Sequence, residues 1–317
     1  MKNINILLAS YENKWKNDLF RNFYYIIQIL IYKYSYILID ISNIDINRKI
    51  IKFNDLVYKY NISINDINNI IYIENHNDFI ITRIIPDLFE LNIKKCILCD
   101  DIHKYHGLKN NYYDLFDQIF VNYLKPFYKL YPRISKKKIY WIPHGYNPEF
   151  ENLIYNINPK RKVLLAGCIG LMYPLRKKVF NYVKMNSEYT NIEIYKHPGY
   201  IGIDTKFPEL INNYLCCITD CLTLNYVVSK YFEIPASGSL LLAKIPKGDN
   251  IESLGFKDMI NFISVDENNF IEKIEFILDE KNKNIIDEIR YNGYVMIKEN
   301  HSLIKRVDKM ITLVNTF

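Results

Sequence analysis

The sequence is poor in glycine, with 10 residues in 317, and in tryptophan, with 2. Its glycine-bearing turns match neither the Walker phosphate loop nor the GxGxxG dinucleotide fingerprint. Cysteine is present six times, as Cys96, Cys99, Cys168, Cys216, Cys217 and Cys221. Cys96 and Cys99 form a CxxC, but no second pair at zinc-finger spacing completes four ligands. Both lie in an apolar, strand-like run and read as small core residues. Adjacent strand residues point to opposite faces, so Cys216 and Cys217 cannot serve one metal. No metal site is expected, and the cysteine usage fits a reducing compartment, hence a cytoplasmic protein. A membrane-spanning helix needs roughly 20 apolar residues. The most apolar region, residues 23–41, is broken by Gln28, Lys33 and Asp40. The chain opens as a strand and a polar turn, without the charged start, apolar core and cleavage site of a signal peptide. Net charge is +6 and the pI is near 8.7, but Lys and Arg are mostly scattered, with local runs such as 133–138 and 176–178. Without a basic stripe, a nucleic-acid partner is not expected.

Tyrosine, at 28, and phenylalanine, at 17, are abundant. Together with the excess of Ile, Asn and Lys they look like the product of A+T-rich coding sequence. The length accommodates about two domains. Short apolar or β-branched runs read as strands at residues 3–10, 36–41, 79–85, 95–99, 118–122 and 139–142. Helical spacing falls between them, at 17–34, 53–60 and 125–130. Residues 147–160 hold two prolines and no strong period, and read as a linker. The pattern then restarts, with strands at 162–167, 192–195, 215–219, 240–243 and 261–265, a helix at 176–185 and a mainly helical tail over 268–313. Strands alternating with helices predict an α/β protein whose parallel sheets are covered on both faces. The expected domains are 1–150, 160–300 and a closing helix over 301–317.

Four segments carry candidate chemistry. The most informative is Ser229-Lys230-Tyr231-Phe232-Glu233-Ile234-Pro235-Ala236-Ser237-Gly238-Ser239, followed by four apolar residues. Lys230 and Glu233, three apart, share a helix face. A surface ion pair is one reading. The other is a ligand site: a carboxylate offers two acceptor oxygens to neighbouring hydroxyls such as a ribose diol, and small residues at Gly238 and Ser239 allow close backbone approach. The second segment is Gly167-Cys168-Ile169-Gly170-Leu171-Met172-Tyr173-Pro174-Leu175-Arg176, joining strand to helix. Glycine admits an anion to backbone N–H groups and a helix start favours negative charge. Arg176 adds a bidentate donor for a diphosphate. Third, Asp100, Asp101 and His103 follow a strand, where an acid could cap a helix or act with His103 as a general base. Fourth, His197 with Pro198 and Gly199 follows a later strand, in reach of a base or phosphates. His144-Gly145 closes the strand at 139–142 in a turn for which positive φ at Gly145 is expected.

The segment at 229–243 resembles the donor-sugar motif of glycosyltransferases with two facing Rossmann-like domains, the GT-B fold. It is most similar to the group 1 (family 4-like) transferases and the spore-maturation-type proteins. The resemblance covers most of 139–312 and is weak before that. It implies that the second domain binds a nucleotide-diphosphate sugar, UDP-sugar favoured and then GDP-sugar, with no metal or other cofactor. It implies a glycan or glycoconjugate hydroxyl as acceptor, and retention of anomeric configuration. It also implies a last helix that returns to the first domain. Glu233 matches the family's ribose-binding glutamate. The family's first glutamate, separated from it by seven residues, falls at Asn225, which can hydrogen-bond a sugar but carries no charge. Thr223 and Tyr226 stand beside it. Gly167, Arg176, Lys230, Gly238 and Ser239 would surround the diphosphate, and Asp100, Asp101 and His103 would meet the acceptor. The alternatives are a nucleotide-sugar-binding or structural protein without turnover, for which Asn225 is the motive, and a DNA-modifying transferase.

Overall fold

The computed structural model describes residues 3–11, 21–42, 50–74, 81–99, 101–104, 109, 111–195 and 206–316. The chain divides into two units. One comprises Met1–Lys16, Phe23–Pro143 and Val307–Phe317, the other Asn17–Asn22 and His144–Arg306. The division therefore falls at Pro143, ahead of the expected linker at 147–160. That stretch is anchored at its start, where Tyr146, Asn147 and Phe150 are buried.

The first unit holds a sheet of β1 (Ile4–Ala9), β2 (Ile37–Asp40), β3 (Ile67–Ile73), β4 (Lys94–Cys99), β5 (Gln118–Val121) and β6 (Ile139–Trp141). Its order is β2-β1-β3-β4-β5-β6 and all pairs are parallel. Helices α1 (Arg21–Tyr34), α2 (Phe53–Tyr58), α3 (Ile81–Ile84) and α4 (Leu124–Leu130) connect the strands. The strands are buried on both faces, which is why most read as unbroken apolar runs.

β3 corrects the sequence reading, which placed the third strand at residues 79–85. Residues 79 and 80 lie outside the described residues, and Ile81–Ile84 is a single helical turn. Pro86 disfavours helix at the residue before it, so the turn stops at Ile84 and Ile85 is non-helical. The true strand hides behind its asparagines. Asn69 is buried at the centre of the sheet, where it accepts from Tyr36 Oη at 2.8 Å and donates to Asn5 Oδ1 at 2.7 Å. A buried amide so satisfied is tolerated in a core strand.

The second unit holds β7 (Lys160–Ala166), β8 (Ile192–Tyr195), β9 (Tyr214–Thr219), β10 (Leu240–Ala243) and β11 (Ile263–Ser264), in the order β11-β10-β9-β7-β8, again parallel. Its helices are α5 (Pro174–Met185), α6 (Phe207–Asn212), α7 (Lys230–Ala236), α8 (Phe270–Leu278) and α9 (Lys283–Asn300). Leu175 and Val179 of α5 pack with Ile274 and Ile277 of α8 on Val163, Leu165, Ile218 and Leu242. Each such fully buried aliphatic side chain contributes about 1.5–3 kcal/mol.

The last helix, α10 (Leu303–Thr316), groups with the first unit from Val307 onward. It contacts α1 there: Asp308 receives hydrogen bonds from Lys33 Nζ at 2.7 Å and Tyr34 Oη at 2.6 Å. Gln118 and Lys94 donate to the Leu313 and Val314 carbonyls. The expected return of the closing helix is thus observed. At its start, Tyr146 pairs with Ser302. Gly145 lies beside this bridge without a positive φ. Space, not conformation, selects glycine there, since a Cβ would sit 2.5 Å from the His301 carbonyl oxygen.

His301 joins these pieces as a neutral ring. Nε2 donates to the Leu254 carbonyl at 2.8 Å and Nδ1 accepts from Arg306. Burial, reinforced by the Arg306 charge, pushes its pKa down to about 4. The unfolded chain therefore binds the proton more readily than the folded one. The ring's contribution to stability is full above pH 6.5 and is lost as the pH falls toward 4. Acidification across that window is expected to remove about 3 kcal/mol of stability. Urea unfolding at pH 6.5, 5 and 4 should show a steeper loss for the native protein than for His301→Gln, and equal slopes would refute this account.

No helix among the described residues is long and apolar enough to cross a membrane.

Candidate functional site

In open parallel sheets ligands bind outside the carboxyl ends of the strands. In the second unit those ends carry a concentrated group of buried charges. β7 ends at Ala166, and Gly167 turns the chain at φ +142°, a region that side chains rarely adopt. The loop returns to Pro174 at the first helical position of α5, where a missing N–H loses nothing. Asp220, just past β9, caps this helix. Its Oδ2 accepts from the Leu175 N–H at 2.7 Å and its Oδ1 from the Cys221 N–H at 2.7 Å.

Arg176 follows on α5 and is 3% exposed. Its guanidinium lies 4.4 Å from the centre of the Tyr173 ring, and Nη2 donates to Thr219 Oγ1 at 2.6 Å. The guanidinium packs close against Gly167, where a Cβ would stand 2.7 Å from Nη1. Nε has no hydrogen-bond partner among the described residues. Burial pulls the Arg176 pKa down, opposed by Tyr173 and Asp220.

Lys230 opens α7, and its Nζ is 2.8 Å from Glu233 Oε2 and 3.9 Å from the centre of the Phe207 ring. This is the ion pair foreseen from the spacing, but the pair is largely buried, with side-chain exposures of 15% and 10%. Burial lowers the Lys230 pKa, and Arg176 and Arg21 push the same way, against the pull of Glu233. Burial alone would raise the Glu233 pKa, but Lys230 and then Arg21 outweigh it and the net shift is downward. Glu233 is therefore an ionised acceptor with Oε2 held by Lys230.

The structure brings Gly167, Arg176, Lys230 and Glu233 into this group and leaves Gly238 and Ser239 out of it. Helix α7 carries the chain from the carboxyl end of β9 back to the amino end of β10. There the Gly238 and Ser239 N–H groups bond to the Pro235 and Ile234 carbonyls, and Ser239 Oγ donates to the carbonyl of Tyr214, the first residue of β9. Gly238, at φ +83°, faces Tyr155, whose ring would lie 3.1 Å from a Cβ. The expectation that these residues approach phosphates is corrected: they pack the far end of the sheet.

Asn225 lines a pocket of about 580 Å³ at the carboxyl ends of β10 and β11, with Pro174, Thr223, Lys244, Lys247, Asp266 and Glu267 among its walls. It adopts φ +59°, and its Oδ1 accepts from the Lys247 N–H at 3.1 Å. Tyr226 is buried. Asp101 and His103 belong to the first unit, after β4, where Asp101 pairs with Lys104 at 3.1 Å. Asp100 and His197 lie outside the described residues. The first unit's pocket of about 800 Å³, with Lys94, Gln118 and Lys137, lies at the amino ends of its strands, away from the ligand-binding edge of such sheets. Among the described residues no group of three His, Cys, Asp or Glu side chains is placed to hold a metal ion.

Sequence reasoning missed Asp220, Thr219, Phe207 and Arg21. Asp220 had a signal, an acid directly after a fully buried, mostly apolar strand. Arg21 had none, because it comes from a distant part of the chain.

No protein-family model matches the sequence, and no curated protein matches it. Solved structures do. HepE of Anabaena, crystallised with UDP and glucose, superimposes with a TM-score of 0.64 at 9% identity over 99% of this chain and 100% of HepE. A glycosyltransferase from Rickettsia africae ESF-5 gives 0.61 at 12% identity over the whole of both chains. S. aureus TarM, solved with fondaparinux, alpha-GlcNAc-glycerol and UDP, gives 0.54 at 13% identity over 78% of this chain and 55% of TarM. Two Rossmann-like parallel sheets and a closing helix that contacts α1 define the GT-B fold, which this chain shares with these glycosyltransferases.

Proposed function

We propose that the chain is a glycosyltransferase whose second unit binds the diphosphate and ribose of a nucleotide-sugar donor. The observation that carries this reading is the buried Arg176, whose Nε has no partner among the described residues, beside the Lys230–Glu233 pair at the carboxyl edge of a parallel sheet. A buried N–H without an acceptor is unfavourable, and a phosphoryl oxygen would supply one. Arg176 and Lys230 would offset the charge that grows on the diphosphate as the sugar departs. Glu233 would bind the ribose hydroxyls through Oε1. Guanidinium and ammonium groups can take this part without a metal. UDP in the HepE and TarM crystals supports uridine as the base. The likeness of 229–243 to the group 1 and spore-maturation-type transferases supports a hydroxyl acceptor on a glycan or glycoconjugate, with retention of configuration. Asp100, Asp101 and His103 would serve that acceptor, with one as the base, and His197 would neighbour the nucleotide.

A second reading is supported by Asn225, which replaces a charged sugar contact and whose Oδ1 is engaged with the Lys247 N–H. It makes the chain a nucleotide-sugar-binding protein without turnover. A thermal-shift panel of UDP, GDP, dTDP, CMP and ADP tests both, because a ligand of the native state raises its stability by mass action. UDP is expected to give the largest shift, unchanged by EDTA. Release of UDP from UDP-glucose with an acceptor present would then favour transfer over binding. No shift with any nucleotide would remove the donor site altogether.

A further inference from the structure

Arg21, the first residue of α1, groups with the second unit and is 4% exposed. Nη1 is ion-paired with Glu149 Oε2. Nε and Nη2 have no hydrogen-bond partner among the described residues. These two atoms form the side-on edge of the guanidinium, the fork whose parallel N–H bonds match two oxygens of a phosphate. The group is also next to the donor site. Its Cζ lies 5.9 Å from the centre of the Phe207 ring, the same ring that carries Lys230 Nζ at 3.9 Å. Its charge acts on both Lys230 and Glu233.

Two functions could account for such a residue. A purely structural arginine would direct its donors at carbonyls or carboxylates of the protein. Here Glu149 fixes one nitrogen and no other described residue accepts from the bidentate edge, whose atoms are closed off from water. Arg176 presents the same feature at its Nε. Two arginines from separate parts of the chain thus hold buried donors with no acceptor among the described residues, near one lysine.

We infer that Arg21 is a third cation of the donor site and binds phosphoryl oxygen through its Nε–Nη2 edge, with Glu149 holding the guanidinium in register. The inference rests on the donor reading above and adds to it a residue from outside the strand–turn–helix segments that carry the rest of the site. It makes the second unit's ligand site depend on the entry of α1.

Titration calorimetry with UDP, uridine and inorganic pyrophosphate tests this on the full chain, comparing the native protein with Arg21→Gln and Arg21→Lys. Arg21→Lys keeps a charge opposite Glu149 and loses only the fork, so it also guards against a variant that fails to fold. Affinity for UDP and for pyrophosphate is expected to fall about 100-fold in Arg21→Gln and about 10-fold in Arg21→Lys, the range of one or two hydrogen bonds between charged groups. The ratio of UDP to uridine affinity should shrink by the same factors. If the native protein binds UDP and both variants bind it equally well, Arg21 is structural and the inference fails while the donor reading stands. If the native protein binds neither UDP nor pyrophosphate, the donor reading fails and takes the inference with it.

Discussion

Replacing Glu233 by alanine is expected to remove nucleotide binding and to lower stability in the same step. Lys230 and Glu233 form a pair that is largely withdrawn from water. Deleting one partner of such a pair leaves an unpaired ammonium, at about 3–5 kcal/mol in buried sites. The lower figure applies here, because some 15% of the Lys230 side chain is still exposed. The two effects can be separated. In the double variant Lys230→Met with Glu233→Leu the charges leave together, and apolar replacements of buried pairs are often neutral. Melting temperature should recover while UDP affinity stays lost. Glu233→Ala with unchanged UDP affinity would remove Glu233 from the site. A double variant no more stable than Glu233→Ala would mean that the unpaired charge was not the cause of the instability.

The second large effect is expected from Gly167→Ala, a change that adds a methyl group and touches no ligand. Gly167 sits at φ +142°, where an alanine is strained, at about 1–3 kcal/mol. Its Cβ would also stand 2.7 Å from Nη1 and 3.1 Å from Cζ of Arg176. The guanidinium must move, breaking its contact with Thr219 or its stacking on Tyr173. UDP affinity should fall about 10- to 100-fold, the loss of one charge-assisted hydrogen bond or more. Arg176→Gln should fall at least as far. Because both changes act through one side chain, the double variant should be no weaker than Arg176→Gln alone. Losses that add in full would show that Gly167 acts by another route, and native-like affinity in Gly167→Ala would place Arg176 outside the ligand's reach.

Both arguments turn on residues that were legible before the structure, and the reason is local. Gly167, Arg176, Lys230 and Glu233 lie in short strand–turn–helix segments, where the identity of one element largely determines the next. Strands such as Lys94–Cys99, Tyr214–Thr219 and Leu240–Ala243 were legible for a related reason, since parallel strands covered on both faces carry nearly continuous apolar runs. Legibility failed where a contact joins distant parts of the chain. Ile67–Ile73 was missed because Asn69 looks polar until Tyr36 and Asn5 are seen to satisfy it. Gly238 and Ser239 were assigned to the wrong end of the sheet because composition does not say where a seven-residue helix delivers the chain. Arg21 lies far in sequence from Phe207, and only the fold brings the two together.

The last helix has a consequence for the order in which the protein can be assembled. The first unit uses the opening strand of the chain, yet its contact set includes Val307–Phe317. Lys33 and Tyr34 meet Asp308, and Lys94 and Gln118 reach the carbonyls of Val314 and Leu313. During synthesis these partners emerge only after every strand of the second unit has left the ribosome. The first unit, although it precedes the second in the sequence, can therefore gain its C-terminal helix only after the second unit has been synthesised.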